Sequence, residues 1–509
     1  MALIALPNEL ILHIMGYLQD SHDVLALKSA SCTCQALREA AEVCLYNTAK
    51  FTKLSSLYQF LEATRVQPKR KEYLRDLQLL FSNGLRDPHA IPTLPDLASF
   101  PNLTSFVSES SECQPRTLKR TQWKLFMEHF MQLFKQASLL NDSAGAPKPL
   151  QNLRSLVLHW SGVNHRFWDI TPMSPIFLLP QLESLHISCV RIGQEESDEW
   201  ADEWKAKKLQ PFRHQTQLKS LLLCECVISI KALHAILSFP KALQTLVLRE
   251  RFYHSHELND RFAVEDSDTL NRAIAQQSGS LEYLTIFRYN QFSPTSETIA
   301  LSLSNFPVLS HLQLGPYLSA RRERSFCYVL APPIPPVLEY LRLEEYGMNM
   351  FKSDRAGEAL TELLVGDLLA NAEARGLSFT LDVSLQTLSR LLQRANLDGR
   401  DEHSVVRKLV ERLEKEFQQR QEASIPQLSE ASSKRSSSDR ISSRLRILTN
   451  KPRHLVPPFL HDEGPRRFVV RYDSSHPDRF LSNPYAANPV SPERESSSDD
   501  ENMNAAFGA

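Results

Sequence analysis

A spacing of the form LxxLxL recurs through the middle of the chain. It occurs at Leu153/Leu156/Leu158, Leu182/Leu185/Ile187, Leu218/Leu221/Leu223, Leu243/Leu246/Leu248, Leu281/Leu284/Ile286, Leu309/Leu312/Leu314 and Leu338/Leu341/Leu343. Weaker copies precede these at Leu74/Leu77/Leu79 and Leu103/Phe106. The last two apolar positions of each copy are two residues apart, the period of a strand with one buried face. Between copies lie amphipathic stretches, such as 230–239 and 296–306, that read as helices. Successive starts are separated by 25 (218 to 243) to 38 (243 to 281) residues, room for a strand, a returning helix and inserted loops. One strand and one helix of that size cannot bury their apolar faces alone, so the units must stack on a shared core. The predicted class is α/β.

The pattern changes at both ends. Residues 6–18 read LPNELILHIMGYL, with Leu6, Leu10, Ile14 and Leu18 every four residues and Ile11 and Met15 alongside, an apolar stripe on a short helix. Pro7 suits the first turn, where its missing N–H costs nothing. Asp23 reads as the N-cap of further helix running through Leu25, Leu27 and Leu37, which completes a helical module over 1–51. Past the repeats, 354–374 reads as a long helix, 378–383 as a strand and 385–422 as helices that cap the stack. From Ala423 serines crowd among Lys and Arg, and prolines follow. Apolar content averaged over that region is too low to offset chain entropy, so 423–509 is expected to be disordered.

Composition narrows the chemistry. Lys and Arg number 58 against 59 Asp and Glu, so no overall field draws the chain to nucleic acid or to an anionic membrane. With only 14 glycines, of which Gly357 and Gly366 are the closest pair, the phosphate loops GxGxxG and GxxxxGK and the GxSxG elbow cannot occur. The eight cysteines form no CxxC pair and read as reduced thiols of the cytoplasm or nucleus. His254, His256 and Glu257 are the one His-rich cluster, and it lacks the second His of HExxH. No metal, cofactor or catalytic residue is expected.

The N-terminal stretch resembles the F-box family, whose pattern opens on a Leu-Pro pair, continues with Glu and Leu two and three positions on, and runs through spaced aliphatics. Leu6, Pro7, Glu9, Leu10, Ile14 and Leu18 match it, followed by Leu25, Leu27, Ser31, Cys34 and Leu37. The repeating part resembles the irregular leucine-rich repeats behind F-boxes in fungal proteins. The two resemblances imply an F-box over 1–51, a leucine-rich-repeat solenoid over 52–383, a helical cap over 384–422 and the disordered tail. They also imply that Leu6, Pro7, Leu10, Ile14 and Leu18 face a Skp-type adaptor, and through it a cullin. The chain would then be the non-catalytic substrate-recognition subunit of a ubiquitin ligase, with an unknown protein target and with neither nucleic acid nor membrane as partner. The alternative is a leucine-rich-repeat scaffold with no link to a cullin, its N-terminal helices capping the solenoid.

Within each repeat, alternation sends the residues between and beside the leucines to the opposite, concave face. The early outward residues are small, whereas the later ones include Arg249, Tyr283, Phe287, His311, Tyr340 and Arg342. Aromatic residues and Arg dominate binding hot spots, so target recognition is expected there. In the tail, Ser491 precedes a proline, and Ser496, Ser497 and Ser498 each have an acidic residue three positions on, which suits phosphorylation.

Overall fold

A computed structural model describes residues 6–21, 23–80, 95–109, 120–141, 148–160, 168–188, 190–193, 209–224, 226–249, 267–287, 299–315, 328–331, 333–343, 379–383, 406, 407, 409–411, 413, 415, 445–450, 468–473 and 480–482. It opens with helices α1 (Asn8–Asp20), α2 (Val24–Ser31) and α3 (Gln35–Leu45). Ile11 and Met15 of α1, Leu27 of α2 and Leu37, Ala40, Ala41 and Cys44 of α3 close a small core, against which Leu6 and Leu18 pack. Asp23 caps α2 by accepting the Ala26 N–H at 2.9 Å. The chain then passes through β1 (Thr48–Phe51), α4 (Leu54–Val66) and α5 (Arg70–Tyr73) into β2 (Asp76–Leu80) and β3 (Ser105–Glu109).

The remaining elements alternate strands with returning segments. They are α6 (Arg120–Ala137), β4 (Ser155–His159), β5 (Trp168–Ile170), β6 (Ser184–Ser188), β7 (Val190–Ile192), β8 (Ser220–Cys224), β9 (Val227–Ile228), α7 (Ile230–Leu237), β10 (Thr245–Arg249), α8 (Ser267–Ala275) and β11 (Tyr283–Phe287). Then come β12 (Ile299–Ser302), β13 (His311–Gly315), β14 (Tyr328–Ala331), β15 (Tyr340–Leu343), β16 (Phe379–Val383), β17 (Leu445–Asn450), β18 (Phe468–Asp473) and β19 (Phe480–Ser482).

The fold is mixed α/β around one large open sheet. Its order is β1-β2-β3-β4-β6-β8-β10-β11-β13-β15-β16-β17-β18-β19. Pairing is parallel from β1 to β17 and antiparallel among the last three strands. Shorter parallel sheets, β5-β7-β9 and β12-β14, form from the returning segments. Strands therefore follow one another in chain order across the main sheet, as short right-handed crossovers favour.

Register carries the leucine pattern into the core. Phe106, Leu156, Leu185, Leu221, Leu246, Leu284, Leu312 and Leu341 align across the sheet and are fully buried. Each such side chain stabilises the fold by roughly 1.5 to 3 kcal/mol relative to exposure. Phe130 and Phe134 of α6 meet this layer. Phe130 stacks on Trp160 at 5.7 Å, and the Trp160 indole donates to the Ser108 hydroxyl at 2.9 Å, so the polar edge of the ring is satisfied in the core.

A second ladder runs along the strand entrances. The Asn47 carbonyl accepts the N–H groups of both Arg75 and Asp76, and Arg75, Thr104, Arg154, Glu183, Lys219, Gln244, Glu282 and Ser310 each repeat the arrangement toward the next strand. All of these bonds lie between 2.7 and 3.1 Å.

Four sequence readings are revised. The segment 296–306 contains strand β12 instead of a helix, because the Ile299–Ser302 backbone pairs in parallel with β14. The helical module stops short of residue 51, since Thr48–Phe51 is the first strand of the sheet. Val406, Leu409, Val410 and Leu413 are helical and buried, yet the sheet continues beyond them through β17 to β19. Finally, 445–450, 468–473 and 480–482, read as disordered, are paired strands. Runs such as LRIL and FVVRY alternate or cluster apolar residues too briefly to lift a serine-rich average, and pairing supplies the missing stabilisation. The helix expected at 354–374 lies outside the described residues.

Gly193 has φ 81°, and a Cβ there would approach Ala232 Cβ at 2.7 Å and the Ser229 hydroxyl, which caps α7, at 2.8 Å. Gly193→Ala should cost roughly 1 to 3 kcal/mol from strain and overpacking. Thermal unfolding should show a clear drop for this variant, whereas Gly279→Ala, with nothing within 4 Å of the added carbon, should unfold like the parent.

Candidate functional site

The sheet face opposite the leucines carries two polar regions. In the later one, Tyr283, His311, Tyr340 and Thr380 are in register on β11, β13, β15 and β16, and Thr285, Gln313, Arg342 and Asp382 form the next row on the same face. Strand spacing near 4.8 Å lets neighbouring rings in such a row meet face to face. Tyr283 stacks on His311 at 4.4 Å, and His311 on Tyr340 at 5.3 Å. The Tyr340 hydroxyl donates to Asp382 Oδ2, and Arg342 Nε lies 4.0 Å from the same oxygen. Asp382 is thereby compensated although buried.

Electrostatics around His311 are set by burial and by two carboxylates. Burial pushes the imidazole below its ordinary value, against the opposing pull of Glu339 and Glu282. The Ser310 hydroxyl lies 2.8 Å from His311 Nδ1. The ring is therefore neutral at physiological pH. One row in, the Thr285 hydroxyl donates to Gln313 Oε1 at 3.5 Å, while Gln313 Nε2 has no hydrogen-bond partner among the described residues although the residue is only 8% exposed.

Of the residues expected to bind a target, Tyr283, His311, Tyr340 and Arg342 thus form one contiguous platform. Arg249 and Phe287 pair with each other at the ends of β10 and β11, and their side chains lie outside the described residues. Asp382 and Gln313 were missing from that expectation. Asp382 lies in a strand without the LxxLxL spacing, and Gln313 is a common surface residue whose burial no sequence signal carries.

The earlier region lies at the strand ends. Glu109, His159, Ser188 and Cys224 succeed one another in register on β3, β4, β6 and β8, all buried. An acid, an imidazole and a hydroxyl stand in sequence there, and Glu109 Oε1 has no hydrogen-bond partner among the described residues. Burial pushes the Glu109 carboxyl up to about 7 despite the opposing charge of Lys50.

On α1 the expected adaptor residues divide. Leu6 and Leu18 pack against the three-helix core, Ile14 is half-buried, and Pro7 and Leu10 are exposed. Leu10 is 49% exposed, Tyr17 73% and, on α2, Leu25 60%. Leu10, Ile14 and Tyr17 share one helix face by their spacing of four and three. His254, His256, Glu257, Ser491, Ser496, Ser497 and Ser498 lie outside the described residues. Among the described residues no three His, Cys, Asp or Glu side chains converge to hold a metal ion, and no helix is long and apolar enough to cross a membrane.

No protein-family model matches the chain, and no curated protein matches it either.

Glu109 supplies a pH test. Its folded carboxyl holds a proton up to about 7, whereas the unfolded group sheds it near the ordinary 4.5. Between those values the native state binds more protons, so stability falls as pH rises. Glu109→Gln should remove this loss. Its melting temperature relative to the parent should climb between pH 5 and pH 8, and an offset independent of pH would contradict the assignment.

Proposed function

We propose that the chain is the substrate-recognition subunit of a Skp/cullin/F-box ubiquitin ligase. The helical module is its F-box, the repeating strands are leucine-rich repeats, and the Tyr283–His311–Tyr340 face receives the protein target. The observation that carries this reading is the division of labour on α1. Ile11 and Met15 knit the three helices together, while Leu10 and Tyr17, within and beside the Leu-Pro-x-Glu-Leu start, are left open to solvent with Leu25 nearby in sequence on α2. Exposed apolar side chains gathered on one helix face suit a partner's apolar groove.

The junction between module and sheet also fits the role. Arg70 of α5 donates to the buried Glu42 carboxylate of α3 at 2.7 Å and lies over the Tyr46 ring at 4.8 Å, while Gln67 reaches the other Glu42 oxygen at 3.3 Å. A desolvated pair held on several sides fixes the helices against the first strands. A rigid receptor raises the effective concentration of a bound target lysine at the conjugating enzyme without chemistry of its own. Cytosol and nucleus, where the ligase works, are the compartments this reading assigns.

A leucine-rich-repeat scaffold unlinked to a cullin is the second reading. The packing of Leu6 and Leu18 within the chain's own module favours it.

Co-purification with a Skp-type adaptor separates the two. Leu10→Asp combined with Leu25→Asp should abolish recovery of the adaptor, because each charge would be buried unpaired in the interface. The melting temperature should stay near that of the parent, since both positions are exposed. Undiminished adaptor recovery with a folded double variant would favour the scaffold.

A further inference from the structure

We propose that the Tyr283–His311–Tyr340 face binds an extended peptide segment carrying an arginine, with lysine as the weaker substitute, its cation lying on the open ring of Tyr283 beside Glu282. The inference rests on reading this face as the target-binding surface and names the chemistry of the target.

Shape comes first. The row that contains Tyr283 reaches it from Asp76 on β2 through Ser105, Ser155, Ser184, Ser220 and Thr245, in register on β3, β4, β6, β8 and β10. Five small side chains in line leave a shallow track along which an extended chain can approach the sheet. Tyr283 closes the track as a wall. One face of its ring is occupied by His311, the other looks toward Thr245, and the residue is 43% exposed. A planar guanidinium stacks on such a face better than a compact ammonium.

Charge selects the sign. Farther up the same edge, Glu183 is paired with Lys219 at 2.7 Å and with Arg154 at 4.0 Å. At the platform the cation Arg342 is engaged by Asp382, and the half-buried His311 ring is neutral. Glu282 and Glu339, both close enough to act on His311, have no ion-pair partner among the described residues. Beside the exposed Tyr283 ring the platform therefore presents two carboxylates with no ion-pair partner among the described residues. A basic side chain complements it, and an acidic or phosphorylated one is repelled.

The third element is Gln313. Its Nε2 is a buried donor with no acceptor among the described residues, an arrangement that costs free energy in the free protein and is relieved when one arrives. The carbonyl of an extended peptide supplies that acceptor, two residues along the strand from His311.

The test uses the full chain and an array of decapeptides of neutral Gly, Ser and Ala residues with Arg, Lys, Leu, Glu or phosphoserine at the centre. The strongest binders are then measured by fluorescence anisotropy at two ionic strengths. Arg-centred peptides should bind tightest and Lys-centred peptides next. Glu282→Gln with Glu339→Gln should weaken the Arg-centred peptide about tenfold, as should Tyr283→Leu, while the melting temperature is unchanged. Gln313→Leu should weaken every peptide without altering the preference for Arg. Preference for Leu, Glu or phosphoserine, retention of no peptide, or Arg binding indifferent to the double Gln variant would each overturn the proposal. Adaptor recovery with the Gln variants keeps the readings apart. Adaptor bound without Arg selection sinks only this inference, and Arg selection without adaptor sinks only the ligase reading.

Discussion

The structure depends on a constraint at the entrance of each strand, where one backbone carbonyl accepts two successive N–H groups of the next strand. From Asn47 to Ser310 this bond pair repeats without a gap. It fixes the stagger of neighbouring strands before any side chain is considered, because a slip of one residue would break both bonds and turn the leucines outward. Sequence-distant units as unequal as 25 and 38 residues can therefore share one register, with the surplus taken up in the returning segments.

Everything on the opposite face follows from that register. Three rings spaced far apart in sequence stack at 4.4 and 5.3 Å because they occupy the same position on successive strands. The same rule places Glu109, His159, Ser188 and Cys224 in line at the strand ends. Function on such a sheet is a matter of which residue types happen to fill a row. Small hydroxyl residues line one stretch of the row, aromatic ones the next, and the carboxylates of Glu282 and Glu339 lie near enough to act on His311.

The helical module meets this frame through polar and apolar contacts. Glu42 is buried with Arg70 and Gln67 around it, and Leu45 packs against both hydrophobic cores. Removing one partner of such a pair leaves an uncompensated buried charge, which makes the junction stiff and intolerant of change.

The periodic part of the chain was legible from residues alone. LxxLxL spacing located β4, β6, β8, β10, β11, β13 and β15, and even the weak copies at Leu77 and Phe106 proved to be β2 and β3, because a buried strand face imposes period two wherever it occurs. The same alternation correctly grouped Tyr283, His311, Tyr340 and Arg342, which needs only the register that stacking units must share. Strands β12, β17, β18 and β19 were misread, since a short segment takes its conformation from the edge it pairs with and local composition does not report that edge. The Gln313 amide, left without a partner among the described residues, the compensation of Asp382 and the raised carboxyl of Glu109 were equally invisible. Burial and partnership are properties of neighbours brought from 28 to 52 residues away, as the Thr285–Gln313 and Ser108–Trp160 bonds show. Sequence determined which residues face which way, and tertiary packing alone decided which of them are left with charge or hydrogen-bonding capacity to offer a partner.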